Sequence, residues 1–189
     1  MTLLRFFFVV IVSTAAASCA MAPLPVPQAS IDNLQAIRAA GIAPVKLGDF
    51  TLGPALSEAN DKSIGIRAMI VAAPGGSFTG YLRDTLASEL RAGGKLDLNS
   101  TIVVSGELTT SRIDSGMSAP NAVLGAIFVV TRDGNEVYRK PLEVNAHWTG
   151  DFIGGIAIPE AERQYTALYA KLVGEFLSDS DFKVAAKPR

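Results

Sequence analysis

The sequence predicts an α+β domain: a mixed or antiparallel sheet of about five strands with two main helices packed on one face. Three observations carry that expectation. Residues 78–92 and 160–178 repeat apolar side chains at helical spacing. Residues 101–149 form runs that alternate or are apolar throughout, as strands do. Asp133-Gly134 between two such runs is the strongest hairpin signal in the chain.

In chain order, Arg5 followed by the apolar run Phe6–Val12 and the small residues Ser13–Ser18 reads as a secretory signal over residues 1–18. The run is too short to span about 30 Å of hydrocarbon, which takes roughly 20 apolar residues. The four residues Ala16-Ala17-Ser18-Cys19 resemble the lipobox of bacterial lipoproteins, with Ala16 where that family usually has Leu. The resemblance implies that Cys19 is acylated and becomes the first mature residue. Ordinary cleavage after Ala17 or Ala20 is the alternative. Each buried methylene contributes about 0.8 kcal/mol, so several acyl chains anchor stably where one does not. The expected location is the outer membrane, lipid-anchored on its periplasmic side, with simple periplasmic secretion as the alternative.

Removing 18 residues from 189 leaves 171, enough for one domain with a sizeable core. The mature chain carries 16 basic and 18 acidic side chains, which argues against a general nucleic-acid binder. Cys19 is the only cysteine and His147 the only histidine. No internal disulfide is possible, and a zinc site of His and Cys ligands cannot be assembled within one chain.

Residues 19–29, with Pro23, Pro25 and Pro27, are expected to form a semi-rigid extended spacer. The domain proper is expected over residues 30–178. Ser30 caps a short helix over 30–40 that Gly41 terminates. Strands are expected at 45–52 and 63–71, the second with Ile64, Ile66, Ala68 and Ile70 on one face. After Gly75-Gly76-Ser77, the helix 78–92 carries Phe78, Tyr81, Leu82, Thr85, Leu86, Glu89 and Leu90 on one stripe. Strands follow at 101–110, 122–132 and 136–149, the last turning Leu142, Val144, Ala146 and Trp148 inward. Pro159 at a first helical position opens the helix 160–178, whose stripe is Tyr165, Leu168, Tyr169, Leu172 and Phe176. Residues 179–189 are expected to be a polar, frayed tail.

A lipobox, a spacer and this order of elements resemble the small outer-membrane assembly and transport-auxiliary lipoproteins, of the lipopolysaccharide-assembly or ABC-transport type. The resemblance implies a non-enzymatic assembly, scaffold or transport-accessory factor with an envelope protein partner and no cofactor. Only Cys19 carries over as a residue, for lipidation. The partner-binding candidates are Ile113 and Met117 in the loop 111–121, and Phe152, Ile153 and Ile156 in the loop 150–158. Both loops set apolar side chains among glycines and polar groups.

Two other functions compete. A periplasmic lipid- or amphiphile-binding module requires a cavity lined by Phe78, Leu82, Phe128, Trp148 and Tyr169. A hydrolase requires His147 as base, with Ser105 or Ser111 in reach. Gly75-Gly76-Ser77 reads as a capped turn rather than an anion cradle. The scattered acids Asp49, Asp84, Glu107, Asp114 and Asp151 show neither a calcium-loop pattern nor a carboxylate pair.

Overall fold

The computed structural model describes residues 24–189; the signal segment, the lipobox and Cys19 lie outside the described residues. Four strands form one sheet in the order β1 (Lys46–Leu52), β4 (Ile102–Asp114), β5 (Asn121–Arg132), β6 (Asn135–His147). β1 runs parallel to β4, and β4, β5 and β6 are antiparallel neighbours, so the sheet is mixed. One face of it carries the helices α1 (Ile31–Ala40), α3 (Phe78–Ala92), α4 (Gly154–Ser178) and α5 (Ser180–Ala185). The fold class is α+β, as expected.

Local chemistry explains the elements that match. Ser30 accepts from the Asn33 N–H at the start of α1, and Gly41 ends it in the left-handed region at φ 59°. Ser77 caps α3 by accepting from Gly80 N, after Gly75 and Gly76 turn the chain at positive φ. Asp133 and Gly134 both take positive φ, 52° and 82°, the backbone of a tight turn matched to strand twist.

The structure departs from expectation in five places. Residues 63–71 are not one strand of the main sheet. The helical turn α2 (Glu58–Lys62) leads into a separate hairpin of β2 (Ser63–Ile66) and β3 (Met69–Ala72), reversing at Arg67-Ala68. Ile64 and Ile66 remain buried, whereas Met69 and Ile70 face water. β4 extends to Asp114 through a bulge between Leu108 and Thr110, which shortens the following loop. α4 starts five residues ahead of Pro159, and Gly155 has no Cβ to crowd the ring while its carbonyl forgoes one N–H donor.

The other two departures concern the termini. Residues 179–189 are not a frayed tail. Asp179 caps α5 by accepting from the Asp181 and Phe182 N–H groups, Phe182 is fully buried, and Ala186 O accepts from Ala43 N. Nor does the described part of the proline-rich segment, residues 24–29, stand off as a spacer. Leu24 is buried in the core, and Pro25 O accepts from Tyr81 Oη at 2.9 Å.

The core lies between the helices and one sheet face. Phe128 stacks on Phe176 with centroids 4.4 Å apart, and Phe182 closes on Phe176 at 4.1 Å. Phe78 meets Tyr165 edge-on at 5.5 Å. A buried hydroxyl chain, Ser111 Oγ to Tyr165 Oη at 2.7 Å and on to Tyr169 Oη at 3.0 Å, ties β4 to α4.

These phenols make the fold sensitive to alkali. Desolvation, reinforced by the neighbouring Tyr165, pushes Tyr81 up to about 12. Desolvation also pushes Tyr165 up to about 12, against hydrogen bonds from Ser111 and Tyr169 that favour its ionised form. In the unfolded chain both titrate near 10, roughly. Above that point the unfolded state gives up protons that the folded state keeps, so stability falls as pH rises through the window from about 10 to 12. Urea midpoints measured on either side of that window are expected to drop steeply across it, more in wild type than in Tyr165→Phe.

Candidate docking tip

Three connections meet at the end of the sheet where β5 begins: the β2–β3 turn, the β4–β5 loop (115–120) and the segment 148–153 entering α4. Arg67 joins them. Its backbone N–H donates to Ser115 Oγ at 2.8 Å and its Nε to Ser115 O at 3.3 Å. One guanidinium nitrogen donates to Phe152 O at 3.4 Å and the other to Asp151 O. Arg67 holds φ 54°, a region glycine favours, so the three-loop clamp keeps a bulky residue in an unfavourable backbone conformation. The β4–β5 loop and the α4 lead-in also touch backbone to backbone, since a Cβ on Gly150 would run into the Met117 carbonyl.

Short turns complete the frame. Asp114 Oδ1 accepts from Gly116 N at 3.0 Å, and Asp151 Oδ1 from Ile153 N at 2.7 Å. On this frame stand side chains that turn outward. Phe152 is 81% exposed, Ile153 63%, Met117 58% and Ile156 54%. Met69, two residues after Arg67, is also exposed. Ile113 differs from the other four sequence candidates: it lies within β4 and packs half-buried against the core. The clamp residue, Arg67, was not among the sequence candidates. Arg67→Ala is expected to speed amide exchange in 115–117 and 151–153 while costing about 1–2 kcal/mol of global stability. Arg67→Gly loses the same bonds but relaxes the backbone, and is expected to recover about 1 kcal/mol of that.

A second concavity, of about 580 Å³, runs along the outside of the helical layer. The segment Pro25–Gln28 forms one wall, Tyr81 and Thr85 the floor, and α4 from Pro159 to Ala170 the other wall. The space between helices and sheet that the amphiphile-binding reading requires is filled by side chains. Phe78, Leu82, Phe128 and Tyr169 are fully buried in the core, with Trp148 packed against it.

The hydrolase geometry does not assemble. Ser111 points to the helical side and bonds Tyr165, whereas His147 stands exposed and pairs in register with Asn121. Ser105 lies on the row of Val129 and Arg139, eight residues along β6 from His147. The N-terminus of α3 is taken by the chain's own carboxylate, since Asp61 Oδ1 accepts from Thr79 N at 2.8 Å. Among the described residues no group of three or more His, Cys, Asp or Glu could hold a metal ion. Among them no helix is long and apolar enough to cross a membrane.

No protein-family profile matches the chain, and no curated protein matches its sequence. Solved structures similar to it in shape include a Xanthomonas campestris protein of the family designated DUF330. It is 16% identical over 72% of this chain and 85% of that one, with a TM-score of 0.49. A minor lipoprotein from Acinetobacter baumannii is 13% identical over 78% and 97% of the two chains, with a TM-score of 0.47. The rare lipoprotein B of Shewanella oneidensis is 12% identical over 69% and 89%, with a TM-score of 0.41. Two of these three are lipoproteins by name. At such identities and scores nothing about this chain's task follows from them.

Proposed function

We propose that this chain is a lipid-anchored, non-enzymatic envelope protein that acts as an assembly, scaffold or transport-accessory factor and docks on an envelope component through its three-loop tip. The observation that carries this reading is Phe152, held 81% exposed on a loop whose backbone Arg67 and Asp151 fix in place. Leaving a large aromatic ring in water on a braced loop forgoes about 1.5–3 kcal/mol of burial, which a docking partner recovers. The signal segment and the lipobox-like Ala16–Cys19 support placement at a membrane.

Metabolic labelling with palmitate, in wild type and in Cys19→Ala, tests the anchor. Label is expected in the wild type and absent from the variant; equal label in both sinks the reading. Crosslinking of the labelled protein through position 152 is then expected to capture an envelope component. A second reading, binding of an amphiphile, is favoured by the groove beside Pro25–Gln28, whose volume of about 580 Å³ falls within the range of small-molecule sites. Native mass spectrometry of the purified protein showing no bound lipid counts against it.

A further inference from the structure

We infer that the partner of the three-loop tip is a lipid surface, the same bilayer that holds the protein's own anchor. The inference rests on acylation of Cys19, and three independent features of the structure converge on it.

The first is the direction in which the tether leaves. Ser30 N donates to Glu89 near the end of α3, and Pro25 O accepts from Tyr81 two helical turns earlier. Read toward its N-terminus, the segment therefore runs back along α3 toward the tip. Pro25 and Val26 share a groove with Pro159, and Pro159 follows the exposed Ile156 by three residues, about 5 Å of helix rise. From Leu24 to Cys19 the covalent chain spans at most about 18 Å. The opposite end of the sheet, at Asp133-Gly134, is farther off by the length of β5, about 36 Å. The anchor sulfur is thus tied to the tip end.

The second feature is the chemistry of that end. Phe152 and Ile153 in the α4 lead-in, Ile156 in the first turn of α4, Met117 in the β4–β5 loop and Met69 at the start of β3 project outward, and Val26 on the tether, which shares a groove with Pro159, is 72% exposed. Aliphatic and aromatic side chains presented together beside a lipid attachment point suit shallow entry into an acyl layer.

The third is the state of the loop backbone. Entry into an apolar layer is costly for peptide groups without partners. Here the carbonyls of Ser115, Asp151 and Phe152 accept from Arg67, while the N–H groups of Gly116 and Ile153 donate to Asp114 and Asp151. The bonds that brace the tip thus also give these five peptide groups partners inside the protein. The domain then stands end-on, with its strands rising from the membrane and the β5–β6 turn farthest from it.

The test uses the full-length acylated protein in vesicles of phosphatidylethanolamine and phosphatidylglycerol. Because acylation blocks Cys19, a single new thiol can be labelled, from Phe152→Cys at the tip or Asn135→Cys at the far turn. An environment-sensitive fluorophore at 152 is expected to shift to the blue and to be quenched several-fold by acyl-chain nitroxide lipids, while the same probe at 135 is unaffected. Adding Ile153→Asp and Ile156→Asp is expected to abolish that quenching while the protein still floats with the vesicles. A probe at 152 that stays water-like on vesicle-bound protein overturns the inference but leaves the anchor intact. So does a probe shielded only in native membranes and not quenched there by nitroxide lipids, which would assign the tip to a protein. Protein that carries no acyl group and fails to float overturns the proposed function along with the inference.

Discussion

Phe176→Ala is expected to lower the thermal midpoint by about 10 °C or more, the largest effect of any single truncation in the domain. Phe176 lies on the buried face of α4 and is fully inaccessible. Its ring stacks on Phe128 of β5, closes on Phe182 of α5 and meets Tyr138 of β6 edge-on at 5.9 Å. Removing it withdraws one surface from three elements at once, and the three facing rings cannot all collapse into the space. Loss of a buried Phe to Ala costs about 3–5 kcal/mol, a large fraction of a stability of roughly 5–15 kcal/mol. The C-terminal helix α5 is held chiefly through Phe182, so it is expected to release first, seen as amide exchange in 180–186 ahead of the sheet. A midpoint within about 2 °C of wild type would show that the cluster is not where stability resides.

Glu89→Ala is expected to cost about 2–4 kcal/mol and to detach α1. Glu89 is completely buried and, among the described residues, makes no ion pair. Its carboxylate instead accepts from Ser30 N at 3.0 and 3.2 Å and from Asn33 Nδ2 at 2.8 Å, at the N-terminal end of α1 where the helix dipole favours negative charge. Asn33 continues the joint by donating to Ala170 O at 3.0 Å, and Gly174 has no side chain because the Asn33 amide occupies that place. Truncation to Ala leaves a half-buried donor, Ser30 N–H, and a buried one on Asn33 without this acceptor, which is worse than losing the bonds alone. Glu89→Gln keeps an acceptor and is expected to lose about 1 kcal/mol. Denaturant midpoints with exchange protection across 30–40 distinguish the two; equal losses would mean that the charge matters and the acceptor geometry does not.

Elements with local signatures were legible in the sequence. The caps of α1 and α3, the Asp133-Gly134 turn and the stripe of α4 each depend on residues within a few positions of one another. Long-range pairings left no such mark. Nothing within residues 46–52 says that they lie parallel to 102–108, and the β2–β3 turn hides because Arg67 occupies a backbone geometry normally signalled by Gly or Asn. The helix α5 was missed because its warrant is nonlocal: Phe182 has a place only once Phe176 and Tyr138 are adjacent. At the tip, Met117, Phe152, Ile153 and Ile156 were readable as apolar residues among glycines. Ile113 was misplaced by a strand that ran four residues longer than its alternation indicated. Arg67, whose partners lie 48 and 84–85 residues away, carried no readable signal. Glu89 did carry one, as a carboxylate on an otherwise apolar stripe.

The strapped N-terminal segment also sets an order of events. Leu24, Ser30 and Asn33 are made early in synthesis, yet Glu89 lies 56–59 residues downstream of its partners and Ala170 lies 137 beyond Asn33. Contacts of such separation form late, because the intervening chain must close on itself first. The segment from Leu24 to Asn33 therefore docks last, once the chain as far as α4 is in place. Completion of the fold thus waits on the strapping of its own N-terminal segment, an order imposed by topology alone.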